Sequence, residues 1–385
     1  MKHLGPWAKS FPPSSWGMTQ REFLATAPTL SDFATPLLTL DEGALANNVA
    51  LMADWLELRG LAIAPHGKTT MAPQLWQQLI DAGAWGITLA TPWQVQFARS
   101  AGFSRIFLAN EVVDPVPLAW LGAEVADDSF EFVCWVDSVD AVDAMRAGLV
   151  GAARAIDVVV ELGGEGGRTG ARGVEAALLV ASAVEAAPEL RLAGVGGYEG
   201  SYGRERTPSA ITRVERYLDD IVTVHGAIAW SAKPIVSAGG SAWFDLVAEK
   251  LGPLASDATV ILRSGAYQIH DDGFYRGITP LLGLRSAMHG WARVVSTPEP
   301  DLAILDGGKR DFPYDEGMPV TKFGAIEKFN DQHAYLRASG LAVGDVLRLG
   351  LSHPCTAFDK WRVIPVIDDA DAATPVIVDL VHTYF

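Results

Sequence analysis

The stretch Leu61-Ala62-Ile63-Ala64-Pro65-His66-Gly67-Lys68-Thr69-Thr70 decides the fold. Leu61 to Ala64 is an apolar run of the length of a short buried strand, and Pro65 and Gly67 punctuate its end. Lys68 then falls where a barrel strand hands over to its loop. That end of a barrel is where active sites are built. A lysine amine there can condense with an aldehyde, and an aldehyde cofactor would further need an anion cradle, a partner for its ring and a wall for its face.

Working outward, the same pattern recurs from residue 38 to about 285. A short aliphatic run is followed by a loop with Gly or a polar residue, then by an amphipathic Ala- and Leu-rich stretch. Eight runs are present: Leu61 to Ala64, Gly86 to Ala90, Arg105 to Asn110, Glu131 to Ser138, Asp157 to Leu162, Leu192 to Tyr198, Pro234 to Gly239 and Thr259 to Tyr267. Between them, segments such as Pro73 to Ala82, Pro92 to Ala101, Gly173 to Ala187 and Pro208 to His225 have the length of crossover helices. The pattern predicts an α/β chain with a (β/α)8 TIM-type barrel over 38–285. A doubly wound sheet is the alternative, because strand order is invisible in a sequence. Beyond 286, strand-like runs take over: Trp291 to Val295, Leu302 to Leu305, Asp345 to Leu351, Trp361 to Ile367 and Pro375 to Val381. They predict a C-terminal β domain over 286–385, completed by the N-terminal segment 1–37.

The 385 residues suit two such domains, and 49% hydrophobic with 20% charged residues is an ordinary globular composition. The balance of 30 Lys+Arg against 46 Asp+Glu, a net charge of -16, argues against nucleic acid or an anionic membrane surface as partner. No run approaches the length of a spanning helix, and Met1-Lys2-His3-Leu4-Gly5-Pro6-Trp7 lacks the apolar core of a signal peptide, so the expected location is the cytoplasm. Two cysteines give no disulfide framework. Cys134, within Phe132-Val133-Cys134-Trp135-Val136, reads as a core thiol.

Placed on predicted strand ends, the polar residues converge. The first strand delivers His66 and Lys68, the third Asn110 and Glu111, the fifth Arg168, and the sixth Tyr198 and Glu199. The seventh runs into Ser237-Ala238-Gly239-Gly240-Ser241, whose glycines let backbone N–H groups approach an anion. The eighth ends in Gly265-Ala266-Tyr267. Each has a plainer reading as a surface cation or a turn. Gly163 to Gly170 is not a nucleotide loop, because it lacks the Lys-Ser/Thr pair. A second signal is Ser352-His353-Pro354-Cys355. In extended chain, residues two apart face the same way, so His353 and Cys355 could offer an imidazole and a thiolate to one ion, a pair suited to Zn²⁺. The plain alternative is a buried thiol beside an ordinary histidine. Asp306 to Asp311 reads as an Asp-Gly-Gly turn with solvated charges, the other reading being a segment that reaches across a dimer interface.

Together these residues resemble the fold type III, alanine racemase-like pyridoxal phosphate enzymes, in their D-serine dehydratase and D-threonine aldolase branch. The resemblance spans most of the chain and rests on Pro65 to Thr69, Glu161 to Gly170, Ser237 to Gly240, Gly265 to Tyr267 and His353 to Cys355. It implies a homodimer with the active site at the subunit interface. It also implies that Lys68 anchors pyridoxal 5'-phosphate covalently and takes the substrate Cα proton. Arg168 would face the ring nitrogen and disfavour its protonation, His66 and Tyr198 would line the ring, and Ser237, Gly239, Gly240 and Tyr267 would bind the phosphate. His353 and Cys355 would hold Zn²⁺, with Mn²⁺ the other candidate, at the β-hydroxyl of a small D-β-hydroxy amino acid.

The implied reaction is dehydration of D-serine or a relative to a 2-oxo acid and ammonia. Aldolases of the group carry His-x-Asp at the metal pair, so Cys355 favours dehydration over D-threonine aldol cleavage. Two rival readings remain, a racemase, which needs no metal, and a non-catalytic pyridoxal phosphate carrier protein, which resembles only the barrel. Relatives often place a histidine or lysine soon after the cofactor lysine, where this chain has Thr69-Thr70-Met71.

Overall fold

A computed structural model describes residues 3–203 and 205–385. The chain divides into two compact units. One comprises Ala53–Lys68 and Leu79–Gly265; the other comprises residues up to Met52, Thr69–Gln78 and Ala266–Phe385.

The first unit is the barrel. After β1 (Leu37–Asp41), which belongs to the second unit, its strands are β2 (Ala62–Ile63), β3 (Ile87–Leu89), β4 (Arg105–Glu111), β5 (Glu131–Val136), β6 (Ile156–Gly163), the short β7 (Ala171–Arg172), β8 (Leu190–Gly197), β9 (Ile235–Ala238) and β10 (Thr259–Leu262). The order is β2-β10-β9-β8-β6-β5-β4-β3, with every pairing parallel and β7 beside β6. A parallel bridge between His66 and Thr88, with the Thr88 N–H donating to Pro65 O at 2.9 Å, joins the first strand to the second and closes the ring. The doubly wound alternative is thereby excluded. The crossover helices start on residues chosen for that place: Thr91, Asp114, Ser138 and Thr207 each accept a first-turn N–H, and Pro follows the cap at 92, 115 and 208.

Phe107, Val133, Trp135 and Val159, from three adjacent strands, are buried together in one cluster of this unit. The guanidinium of Arg263 lies over the rings of Trp135 and Phe107, at 4.7 and 5.7 Å from their centroids. Cys134 is fully buried, and burial pushes its thiol pKa far up, as a core thiol requires.

The second unit is a mostly antiparallel sheet. To β1 it adds β11 (Met288–Glu299), β12 (Leu302–Leu305), β13 (Ala325–Phe329), β14 (Ala334–Arg337), β15 (Val346–Gly350), β16 (Val363–Ile367) and β17 (Ile377–His382), in the order β13-β14-β12-β11-β1-β16-β17, with β15 also on β11. The sequence boundary at 38 puts Leu38 to Asp41 in the barrel; in the structure they form β1, paired antiparallel with β11 and parallel with β16. An apolar run of this length suits either sheet, and the pairing partner decides. Strands β13 and β14 escaped the pattern because they are only five and four residues long, with Glu327, Lys328 and Arg337 interrupting their apolar character. The N-terminal segment completes the core: Leu4, Ala8, Phe11, Phe23 and Phe33 pack with the C-terminal strands, the three phenylalanine rings meeting at 4.9 to 5.9 Å. Each such ring contributes about 1.5–3 kcal/mol by burial. Asp311 is not solvated as its turn suggested; it is buried and paired with Lys9 at 3.0 Å, and Lys9 lies over the Trp361 ring. Among the described residues no helix is long and apolar enough to cross a membrane.

Candidate active site

At the ends of the barrel strands the structure gathers most of the expected residues. Lys68 is half-buried on a single helical turn, Gly67–Thr69, just after β2. His66 is held neutral: burial pushes its pKa well below the ordinary imidazole value, and the positive charges of Lys68, Arg263 and Arg168 push the same way. Its Nδ1 is buried without a hydrogen-bond partner among the described residues. Gly265 makes room for this arrangement, since a Cβ there would sit 2.5 Å from His66 O and 2.7 Å from His66 N. Arg168 is exposed, and its guanidinium lies 5.5 Å from the ring centroid of Tyr198, itself 40% exposed. The Tyr198 ring in turn flanks Gly240, where an added Cβ would meet it at 2.8 Å.

The Ser237 to Gly240 loop behaves as the glycines suggested, with one difference. Gly239 has φ +98°, a left-handed value that favours glycine, and this turns successive N–H groups to one side. They hold an anion, and that anion is the carboxylate of Glu199: Gly239 N–H donates at 3.0 Å and Gly240 N–H at 2.5 Å. Burial raises the Glu199 pKa, against the pull of these N–H groups and of Arg263. The Ser237 hydroxyl faces inward, donating to Ile261 O at 2.9 Å and accepting from Arg263 at 2.5 Å. Arg263 donates also to Gly197 O at 2.6 Å. Sequence reading passed over Arg263; its signal was a lone charge closing the apolar run Thr259 to Leu262. Tyr267 lies in the second unit, buried, with burial raising its phenol pKa. A flat anionic ring that carries an aldehyde suits a half-buried lysine among a neutral imidazole, two arginines and an anion-holding loop.

His353 and Cys355 come together in the second unit, by a different device from strand alternation. His353 has φ +61°, and Pro354–Thr356 form a 3-10 turn, so the pair is joined by a reversed residue and a turn. That conformation is strained for a non-glycine residue, and local contacts hold it. Asp271 accepts from the His353 N–H at 3.2 Å and from the N–H groups of Gly273 and Tyr275 at 2.9 and 3.0 Å. The rings of Phe274 and Tyr275 flank the imidazole at 5.8 and 5.9 Å. Asp315 Oδ2 lies 2.7 Å from His353 Nδ1, and Thr356 Oγ1 donates to the other carboxylate oxygen at 2.8 Å. Burial lowers the His353 pKa, but hydrogen bonding and charge from Cys355, and after it Asp315, outweigh burial and carry it up to about 9. Thr69 Oγ1 is 3.3 Å from Cys355 Sγ, so the residue that follows Lys68 in the chain touches the thiol. An imidazole whose Nδ1 is fixed by a carboxylate presents Nε2 outward, and beside a half-buried thiol that is the donor chemistry of a zinc-type site. Neither Asp315 nor Thr69 was visible as a site residue in the sequence.

Residues 287–367 match the family described as "Putative serine dehydratase domain". Over 352 residues the chain is 30% identical to a D-threonine aldolase from Arthrobacter sp, covering 87% of this chain and 89% of that protein. It is 26% identical to a D-threo-3-hydroxyaspartate dehydratase from Delftia sp. (strain HT23), covering 85% and 92%. Among solved structures, the D-threonine aldolase from Filomicrobium marinum superposes with a TM-score of 0.82 at 23% identity, covering 93% of this chain and 96% of that one. Structures of D-threo-3-hydroxyaspartate dehydratase include one with a histidine replaced by alanine (TM-score 0.74, 20% identity, 94% and 98% covered). Another has a cysteine two positions later replaced by alanine and is described as metal-free (TM-score 0.73, 20% identity, 93% and 99% covered).

Proposed function

The chain belongs to the alanine racemase-like pyridoxal phosphate enzymes, in their D-threonine aldolase and serine dehydratase-like branch of lyases, and from that premise we propose that it is a zinc-assisted dehydratase of D-serine or a related D-β-hydroxy amino acid. The single observation that carries this reading is the His353, Cys355 and Asp315 constellation. A thiolate donor favours a softer ion, zinc ahead of manganese. A histidine and a cysteine two positions apart are also the residues replaced in the dehydratase variants, the cysteine one being metal-free.

When bound, pyridoxal phosphate supplies an electron sink for substrate Cα, and zinc supplies Lewis acidity toward an oxygen. The chain's own residues do the rest. Lys68 would hold the cofactor through its amine and, as a free amine, would accept the substrate Cα proton. His66, kept neutral by burial and by three neighbouring cations, lines the ring without adding charge. Arg168 and Tyr198 take the ring-nitrogen side and the ring wall. The Gly239 and Gly240 N–H groups would take the phosphate in place of the Glu199 carboxylate they hold here; Ser237 and Tyr267 are given the same role by the resemblance. Asp315 fixes the tautomer and direction of His353. The net change on D-serine is loss of the Cα proton and the β-hydroxyl as water, then hydrolysis of the C–N bond to pyruvate and ammonia. The proposal extends to a homodimer acting in the cytoplasm.

The second reading is aldol cleavage, favoured by the 30% identity to a D-threonine aldolase. D-threonine separates the two: dehydration gives 2-oxobutanoate and ammonia, whereas cleavage gives glycine and acetaldehyde. Product analysis on zinc-loaded holoenzyme is expected to show the 2-oxo acid. Glycine and acetaldehyde in its place would transfer the chain to the aldolases.

A further inference from the structure

We infer that the barrel unit carries a second metal site, made of Glu111, Asp137 and Glu161, which takes a hard divalent cation such as Mn²⁺, Mg²⁺ or Ca²⁺. It shares no residue with the His353 and Cys355 pair and does not depend on the proposed reaction.

The placement follows from strand periodicity. Successive side chains of a strand alternate, so residues two apart share a face. Phe107, Val133, Trp135 and Val159 share one buried cluster. Stepping by two from them leads along β4 through Ala109 to Glu111, from Trp135 to Asp137, and from Val159 to Glu161. Strands β4, β5 and β6 are neighbours, so the three carboxylates form one layer above the apolar cluster. A register irregularity between Leu108 and Glu111 adjusts the last step of β4. One ligand oxygen from each of the three lies within 4.8 Å of the others.

A group of carboxylates alone proves nothing, and the distinguishing observation is what is left unsatisfied. Glu161 is 2% exposed, and its Oε2 has no hydrogen-bond partner among the described residues; neither has the buried Oε1 of Glu111. Glu199, buried in the same unit, shows what compensation looks like there, with two N–H groups on its carboxylate. The nearby cation Arg263 hydrogen-bonds through its terminal nitrogens to Ser237 and Gly197, so its charge acts on Glu161 without a hydrogen bond to it among the described residues. Asp137 is half-buried and, among the described residues, accepts from the Gly170 N–H at 3.0 Å. Burial, the charge of Glu161 and a hydrogen bond shared with it raise the Glu111 pKa to about 8, so without an ion a proton held between these two carboxyls occupies the layer near neutral pH. An all-oxygen set of three carboxylates, completed by water, suits hard ions of six or more ligands and not the thiolate-seeking ones.

The test uses cofactor-loaded His353→Ala/Cys355→Ala protein, stripped with chelator and titrated with Mn²⁺ while the free-ion electron paramagnetic resonance signal is followed. One Mn²⁺ per chain is expected, displaced by excess Mg²⁺ or Ca²⁺, with affinity reduced at least about tenfold by adding Glu161→Gln or the milder Asp137→Asn. Absence of saturable Mn²⁺ binding in the double variant overturns the inference and leaves a shared proton as the layer's occupant. Binding that both carboxamide variants leave unchanged overturns it as well, since the ion would then sit elsewhere. Asp137→Asn, at a half-buried position, remains readable if Glu161→Gln does not fold.

Discussion

Two regions of this molecule offer donors to a cation, and they are built in opposite ways. Around His353 the backbone is irregular: a left-handed residue and a 3-10 turn bring an imidazole and a thiol together, and Asp271, Asp315 and Thr69 steady them. In the barrel, three neighbouring strands bring Glu111, Asp137 and Glu161 together from one face, alternation placing Asp137 and Glu161 and a register shift in β4 placing Glu111. The first set mixes nitrogen and sulfur; the second is oxygen only. On the proposed reading, ligand chemistry matches a softer ion to the loop and a harder ion to the barrel carboxylates.

The largest effect that can break this contrast is removal of the first pair. His353→Ala/Cys355→Ala is expected to lose zinc and to turn over β-hydroxy substrates about 10²-fold or more slowly, the scale of a lost Lewis acid worth several kcal/mol. Turnover at the parent rate would detach the pair from the chemistry. Next in size, Asp315→Ala should weaken zinc binding about 10–100-fold, read by competition with a chromophoric chelator, while the cofactor absorbance stays in place. An unchanged zinc affinity would show that Asp315 does not orient His353.

The contrast sharpens with Cys355→Asp, which puts an oxygen donor in the loop. Its metal preference should move from zinc towards manganese, and the ratio of glycine to 2-oxobutanoate formed from D-threonine should rise. A ratio that stays fixed when the metal preference moves would mean that the donor atom does not select the reaction.

The smallest effect concerns the carboxylate layer and pH. Glu111 is raised from its ordinary 4.5 to about 8 by burial and by Glu161, so over that window the folded chain binds more protons than the unfolded one. In metal-free protein, stability should therefore fall as pH rises from about 4.5 to about 8. Urea midpoints across that range should show this fall, Glu111→Gln should flatten it, and added Mn²⁺ should flatten it too. A midpoint that rises steadily with pH, and does so equally in Glu111→Gln, would remove Glu111 as the group responsible.

Much of the barrel was legible because each strand and helix carries its own period, and helix starts such as Thr91-Pro92 and Thr207-Pro208 announce themselves locally. The allegiance of Leu37 to Asp41 was not, because pairing with β11 and β16 is a long-range choice. His353 and Cys355 were legible as residue types at a telling spacing, whereas the turn that unites them was not, since φ at one histidine depends on the Asp271 and Asp315 contacts that hold it. Glu111 could be placed at a strand end from sequence. Its meeting with Asp137 and Glu161 could not, because it requires knowing that β4, β5 and β6 are adjacent. The Gly239 and Gly240 cradle was foreseen as anion-binding, but not that Glu199 supplies an anion.

The central claim, metal-assisted β-elimination, is tested most directly by pyruvate release from D-serine in three states of one holoenzyme preparation: as purified, after chelator treatment, and after zinc alone is returned. Release that is lost with the metal and restored by zinc is the expected result. Pyruvate formation that persists unchanged after complete chelation, or that is absent in all three states, would contradict it.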